Sequence, residues 1–256
     1  MSSKIAFPMY NLYRPDSEAL IQAVQALLAT RGVAVTPVWP EEDLLTHWQS
    51  DDLLLSQACG YPLVTRLPEV QTVGCFHYSA PGCEGIRYRS LLVVRQRDRD
   101  KTLADFRGSR AVCNAPDSQS GYNVFMQMVA PLAPHGTFFR DVIFSGSHRQ
   151  SLVAIGEGRA DIAAIDCVTF ALLQRHAPHL ISDLAVIGAS PAAPGLPLIT
   201  ARNTPPSRIA LLRDALRQLV SDPAYRTLCA ALFISGFSDV SRQDYASLLT
   251  GDYPQP

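Results

Sequence analysis

Long apolar runs are missing from this chain: no stretch reaches the roughly 18 residues that a helix needs to cross a bilayer. The charge-free stretch from Gly188 to Ala201 is broken by Pro191, Pro194 and Pro197, which exclude a regular helix. A surplus of one charge is missing too. With 22 Lys and Arg against 23 Asp and Glu the formal charge is −1, so no overall field draws the protein to nucleic acid or anionic lipid. The dense run Arg95-Gln96-Arg97-Asp98-Arg99-Asp100-Lys101 alternates in sign and reads as a solvated loop. No nucleic-acid partner and no direct membrane insertion are expected. The six cysteines include no CxxC pair and no zinc spacing, so no metal site is expected; no cofactor is expected either. Cys75 and Cys83 are close enough to close a small loop disulfide, but buried thiols are the favoured reading. Hydrolase and nucleotide-binding signatures are absent: no G-x-S-x-G, no H-E-x-x-H, no Walker-type loop. Ser147 and His148 are adjacent, and neighbours on a helix point apart, so no nucleophile–base pair and no catalytic residue is assigned. The pairs Glu41-Glu42 and Asp51-Asp52 read as solvated faces. The start, Met1-Ser2-Ser3-Lys4-Ile5-Ala6-Phe7, lacks the apolar core of a secretion signal. The expected location is cytoplasmic if this is the whole chain and periplasmic if an export segment has been removed.

What is present is alternation. Lys4 to Pro8 reads as a strand, followed by a helix capped by Asp16 or Ser17 and stopped at Gly32. Val33 to Val38 is then a second strand, completing a β-α-β unit. Further strands are expected at Asp52–Gln57, Val70–Phe76, Ser90–Arg95, Arg110–Asn114, Asp141–Phe144 and Leu184–Ile187, with a strand-like Leu196–Ala201 and a helical tail. Thr102/Asp105 and Ser241/Asp244 have capping-box spacing. The fold class is α/β, in two lobes joined by two crossover strands. One lobe is expected at residues 1–95 and 186–256, the other at 96–185.

Two turns stand out. Ser145-Gly146-Ser147-His148 opens a helix that stops before Ala160-Asp161-Ile162-Ala163-Ala164-Ile165-Asp166, a short buried strand. Asp117-Ser118-Gln119-Ser120-Gly121 opens another helix some thirty residues earlier. Hydroxyls and an imidazole at helix N-termini, where backbone N–H groups lack helical partners, suit a small oxyanion. Serines before helices are also ordinary caps, and that reading stands beside the first. Protonation of His148 near its ordinary pKa of about 6.5 would strengthen a hydrogen bond to an oxyanion. Asp166 ends an apolar strand, where a carboxylate must be solvated, paired or ligand-facing. Asp161 reads as a loop residue at the strand's entry. Tyr10 and Tyr61 follow strands and serve as aromatic walls or as packing.

These segments, with Leu53-Leu54-Leu55-Ser56-Gln57-Ala58-Cys59-Gly60-Tyr61-Pro62, Tyr88-Arg89-Ser90-Leu91-Leu92-Val93-Val94-Arg95 and Pro194-Gly195-Leu196-Pro197, span most of the chain. In that order they resemble the phosphonate-type substrate-binding proteins of ABC transporters. The resemblance implies a type 2 periplasmic-binding-protein fold, each lobe a mixed, mainly parallel sheet flanked by helices. It implies ligand contacts at Ser118, Gln119, Ser120 and Gly121 and at Ser147 and His148. An aromatic contact falls on Tyr61, a carboxylate for an amino group near Asp166, and Tyr10 occupies the loop after the first strand. It also implies a small anionic solute, phosphonate- or phosphate-like, and an ABC permease as partner. Two other readings share the fold: an enzyme acting on a small carboxylate, as in menaquinone-pathway dehydratases, with Asp166 or His148 as acid or base, and a cytoplasmic ligand-sensing module.

Overall fold

The computed structural model describes residues 3–40, 43–134 and 136–251; Glu41 and Glu42 lie outside the described residues. In chain order it runs β1 (Ser3–Ala6), α1 (Arg14–Ala29), β2 (Val35–Pro37), β3 (Leu53–Gln57) and β4 (Gln71–Tyr78). Then come β5 (Ser90–Arg95), β6 (Arg110–Cys113), α2 (Val124–Val129), β7 (Asp141–Phe144), α3 (His148–Gly156), β8 (Ile162–Asp166), α4 (Cys167–His176) and β9 (Leu184–Ala189). The chain closes with β10 (Pro197–Thr200), α5 (Pro206–Ser221) and β11 (Ile234–Ser238), with shorter helical turns between. It divides into two compact units: residues 3–79, 84–87 and 194–250, and residues 80–83 and 88–193 with Gly251. The crossings at 87/88 and 193/194 fall in two-residue strands, Arg87–Tyr88 and Ala193–Pro194, that pair with each other.

The first unit holds a six-stranded sheet in the order β11-β4-β10-β3-β1-β2. Its parallel part is the β-α-β unit: β1 pairs parallel with β2 and β3, and α1 buries Leu20, Ile21, Ala23, Val24, Leu27 and Leu28. Each large apolar side chain so buried contributes about 1.5–3 kcal/mol. The expected cap at Asp16 or Ser17 is displaced. The helix begins at Arg14 with Pro15 in its first turn, where the missing N–H costs nothing, and Ser17 is buried within the helix. Gly32 stops the turn beyond α1 with φ +72°, a conformation that favours glycine.

The second unit holds five strands in the order β9-β5-β8-β6-β7. Four of them run one way: β6 is parallel to both β7 and β8, while β5 runs against β8 and β9. Strand β5 therefore belongs to this sheet, not to the lobe ending at residue 95. Its apolar run satisfies its backbone through β8 and β9, far along the chain, and no local pattern announces that choice. Packed on the sheet, Phe106, Phe125, Val129, Phe138 and Phe139 form a buried aromatic cluster with Leu92, Val94, Ala111 and Ile162. The rings of Phe138 and Phe139 meet edge to face at 4.9 Å.

Candidate functional site

In the second unit the parallel strands β8, β6 and β7 end on the same side of their sheet, the side at which open α/β sheets bind ligands. Asp166 ends β8, Asn114 follows β6, and Ser145 follows β7. The backbone locks the last two together: Ser145 N–H donates to the Cys113 carbonyl at 2.9 Å and Gly146 N–H to the Asn114 carbonyl at 3.0 Å. Gly146 holds φ +90°, which turns the chain into α3.

After Asn114 the chain winds a single π-turn, Gln119–Asn123, where the spacing predicts the start of an ordinary α-helix. Ser118 caps it, its Oγ accepting from Gly121 N–H at 3.1 Å. Ser147 caps α3 in the same way, accepting from Gln150 N–H at 3.1 Å. Both serines thus do the structural job expected of helix caps. Ser120 does something else. Its Oγ lies 2.9 Å from Nε2 of His148, the first residue of α3, so the two turns are hydrogen-bonded side chain to side chain.

Gly121 makes that approach possible. A methyl group there would lie 1.8 Å from Asn114 Oδ1 and 3.1 Å from His148 Cε1. Three side-chain atoms nearby are buried without a hydrogen-bond partner in the protein: Asn114 Oδ1, Asn123 Nδ2 and His148 Nδ1. Buried polar atoms left this way cost about 1–3 kcal/mol each unless something else satisfies them. Sequence reasoning missed Asn114. The available signal was a polar side chain directly after the apolar strand β6, at the ligand-binding side of the sheet.

Burial pushes His148 down to about 4, so the ring is neutral at physiological pH. This corrects the expectation of protonation near pH 6.5. One ring nitrogen carries the proton, and the other can only accept. The unfolded chain takes up that proton below about pH 6.5 and the folded chain does not, so the stability associated with the neutral ring is lost as pH falls from 6.5 towards 4. Relative to a His148→Gln variant, the wild type should lose about 2 kcal/mol between pH 7 and pH 5, read from urea unfolding at both pH values.

Asp166 is almost fully buried and caps α4, with Oδ1 accepting from Val168 N–H at 2.8 Å and Thr169 N–H at 2.9 Å. Gln119 is buried within the π-turn. In the first unit, Tyr10 is buried and packs edge to face on Tyr78 at 5.2 Å, beside Phe7, Leu20 and Gln57. Tyr61 lies half-buried in the short helix Gly60–Thr65 that follows β3. The structure therefore gathers Ser118, Gln119, Ser120, Gly121, Ser147 and His148 in one place, with Asp166 at the neighbouring strand end. Among the described residues no group of three His, Cys, Asp or Glu side chains could hold a metal ion, and no helix is long and apolar enough to cross a membrane.

Residues 52–245 match the family described as ABC transporter, phosphonate, periplasmic substrate-binding protein. The chain belongs to this family. Its members bind solutes for a transporter and are not enzymes. In structure the chain is similar to PhnD1 from Prochlorococcus marinus in complex with methylphosphonate, with TM-score 0.77 and 14% identity over 97% of this chain and 96% of that one. It is also similar to a binding component of an ABC phosphonate transporter, PA3383 from Pseudomonas aeruginosa, with TM-score 0.77 and 17% identity over 96% and 84%. XAC2383 from Xanthomonas citri bound to ATP gives TM-score 0.72 and 16% identity over the whole of both chains. These likenesses establish the type 2 periplasmic-binding-protein fold. No curated protein matches the sequence.

Proposed function

We propose that this substrate-binding protein takes a small phosphorus oxyanion, phosphonate- or phosphate-like, for an ABC-type uptake system, and that the paired turns of its second unit recognise the anion. The observation that carries this reading is the bond between Ser120 and His148, which sets two helix N-termini side by side at the carboxyl ends of parallel strands. The amides of His148 and Arg149 open α3 and have no carbonyl of their own helix within reach. Their dipoles, the serine hydroxyls and a neutral imidazole give an anion several donors, and no Lys or Arg lies within residues 117–121 or 145–148. Two of the similar proteins are described with anions, one with methylphosphonate and one with ATP, which supports the same ligand class. Asp166, at the end of β8, completes the second unit's set of ligand contacts in this reading, through a ligand amino group.

Calorimetric titration with methylphosphonate, inorganic phosphate and a panel of small carboxylates tests it. Saturable binding of a phosphorus oxyanion is expected, weakened about 10- to 100-fold by Ser120→Ala and by His148→Ala. Binding of carboxylates alone, or phosphorus oxyanion affinities that neither substitution changes, would overturn the assignment.

A further inference from the structure

The cysteines group differently from their spacing. Cys75 is fully buried, its thiol pushed up to about 12 by that burial. The Cys83 sulfur instead lies 3.4 Å from that of Cys167, 84 positions along the chain. Both belong to the second unit. Cys83 is half-buried, whereas Cys167 and the other four cysteines are buried.

The turn that carries Cys83 is shaped around Cys167. Cys83 N–H closes it onto the Ala80 carbonyl at 3.0 Å, and Gly82 holds φ +100°. A methyl group on Gly82 would press on Cys167, 3.2 Å from its Cβ and 3.3 Å from its sulfur. On the other side, Cys167 is fixed as the first residue of α4, its N–H donating to the Arg89 carbonyl at 3.0 Å. From their separation of 3.4 Å the sulfurs need to approach by about 1.4 Å to reach bonding distance.

We propose that Cys83 and Cys167 form a reversible disulfide, with Cys83 as the attacking and Cys167 as the resolving thiol. A small-molecule disulfide such as oxidised glutathione is the oxidant. The Cys83 thiolate attacks one of its sulfurs and releases one glutathione thiol, leaving a mixed disulfide. The Cys167 sulfur then attacks the Cys83 sulfur, forms the internal bond and releases the second glutathione thiol. Two protein thiols are oxidised and one disulfide is reduced to two thiols. The bond fixes the turn from which the chain passes back to the first unit at Glu84.

The full protein is incubated with oxidised glutathione at about pH 8, quenched, denatured, alkylated and weighed. Four alkylated cysteines in place of six are expected, with a peptide pair linking Cys83 to Cys167 and all six recovered after dithiothreitol. The melting temperature should rise by roughly 5–15 °C on oxidation. Cys167→Ser should stop at a glutathione adduct on Cys83, and Cys83→Ser should remain unmodified. Six alkylated cysteines in the treated wild type, a stable glutathione adduct in place of the link, or a link to any other cysteine would overturn the proposal.

Discussion

Replacing Gly121 by alanine should lower the affinity for methylphosphonate or phosphate on the order of 100-fold, because small displacements of positioned groups cost that much. The backbone at Gly121 is not in the left-handed region, so the residue is required for space and not for its conformation. The added methyl would lie 1.8 Å from Asn114 Oδ1, 2.8 Å from its Cγ and 3.1 Å from His148 Cε1. Asn114 can rotate away at moderate cost, so the fold should survive with a loss of about 1–2 kcal/mol. His148 has less freedom: its Nε2 is bonded to Ser120 and its backbone opens α3. The damage therefore falls on the pairing of the two turns. Calorimetry and urea unfolding of the same variant separate the effects, and intact affinity in a folded variant would remove the pairing from recognition.

Replacing Asp161 by alanine should do the reverse: lower stability by roughly 3 kcal/mol and leave the affinity unchanged. Asp161 precedes β8 and so lies at the end of that strand opposite Asp166. Its carboxylate accepts from Arg95 Nη2 at 2.7 Å, from Arg110 Nη2 at 2.9 Å and Nε at 3.0 Å, and from the Arg110 N–H at 3.0 Å. The Arg110 hydrogen bonds, with Arg95 behind them, hold the carboxyl well below the usual carboxylate range. With its folded pKa depressed, the group contributes stability above pH 4, lost only as pH falls through the strongly acid range. Removing it leaves two guanidinium groups without their shared counter-charge. The loss should lie between the fraction of a kcal/mol typical of exposed pairs and the 3–5 kcal/mol typical of fully buried ones, nearer the latter, because Asp161 is 19% and Arg95 15% exposed. Urea unfolding reads the loss, and Asp161→Asn, which keeps one carbonyl acceptor in place, should lose less.

Local chemistry made much of the fold legible. Short apolar runs bounded by turn residues marked β3 and β7, and the Thr102/Asp105 and Ser241/Asp244 capping boxes are both formed. Ser147 and Ser118 stood out because each is followed by a helical turn, and each does cap one. What stayed hidden depends on contacts across the sheet. The π-turn at Gln119–Asn123 has no signal of its own in the sequence, and it places Gly121 against Asn114 and His148. The burial that lowers the His148 pKa depends on packing that no neighbour in sequence supplies. The meeting of Cys83 with Cys167 is likewise invisible to spacing, because two different strand connections bring them together.

The position of β10 also has a consequence for how the protein is made. This strand leaves the ribosome after all five strands of the second unit, yet it sits between β3 and β4 in the first unit's sheet. Until it arrives, β3 and β4 lack the neighbour that joins them, and their backbone edges are open to mispairing. The second unit has all five of its strands in one stretch of chain and can complete its sheet earlier. The second unit can thus complete its sheet first, and β3 and β4, though synthesised earlier, are joined only when β10 arrives.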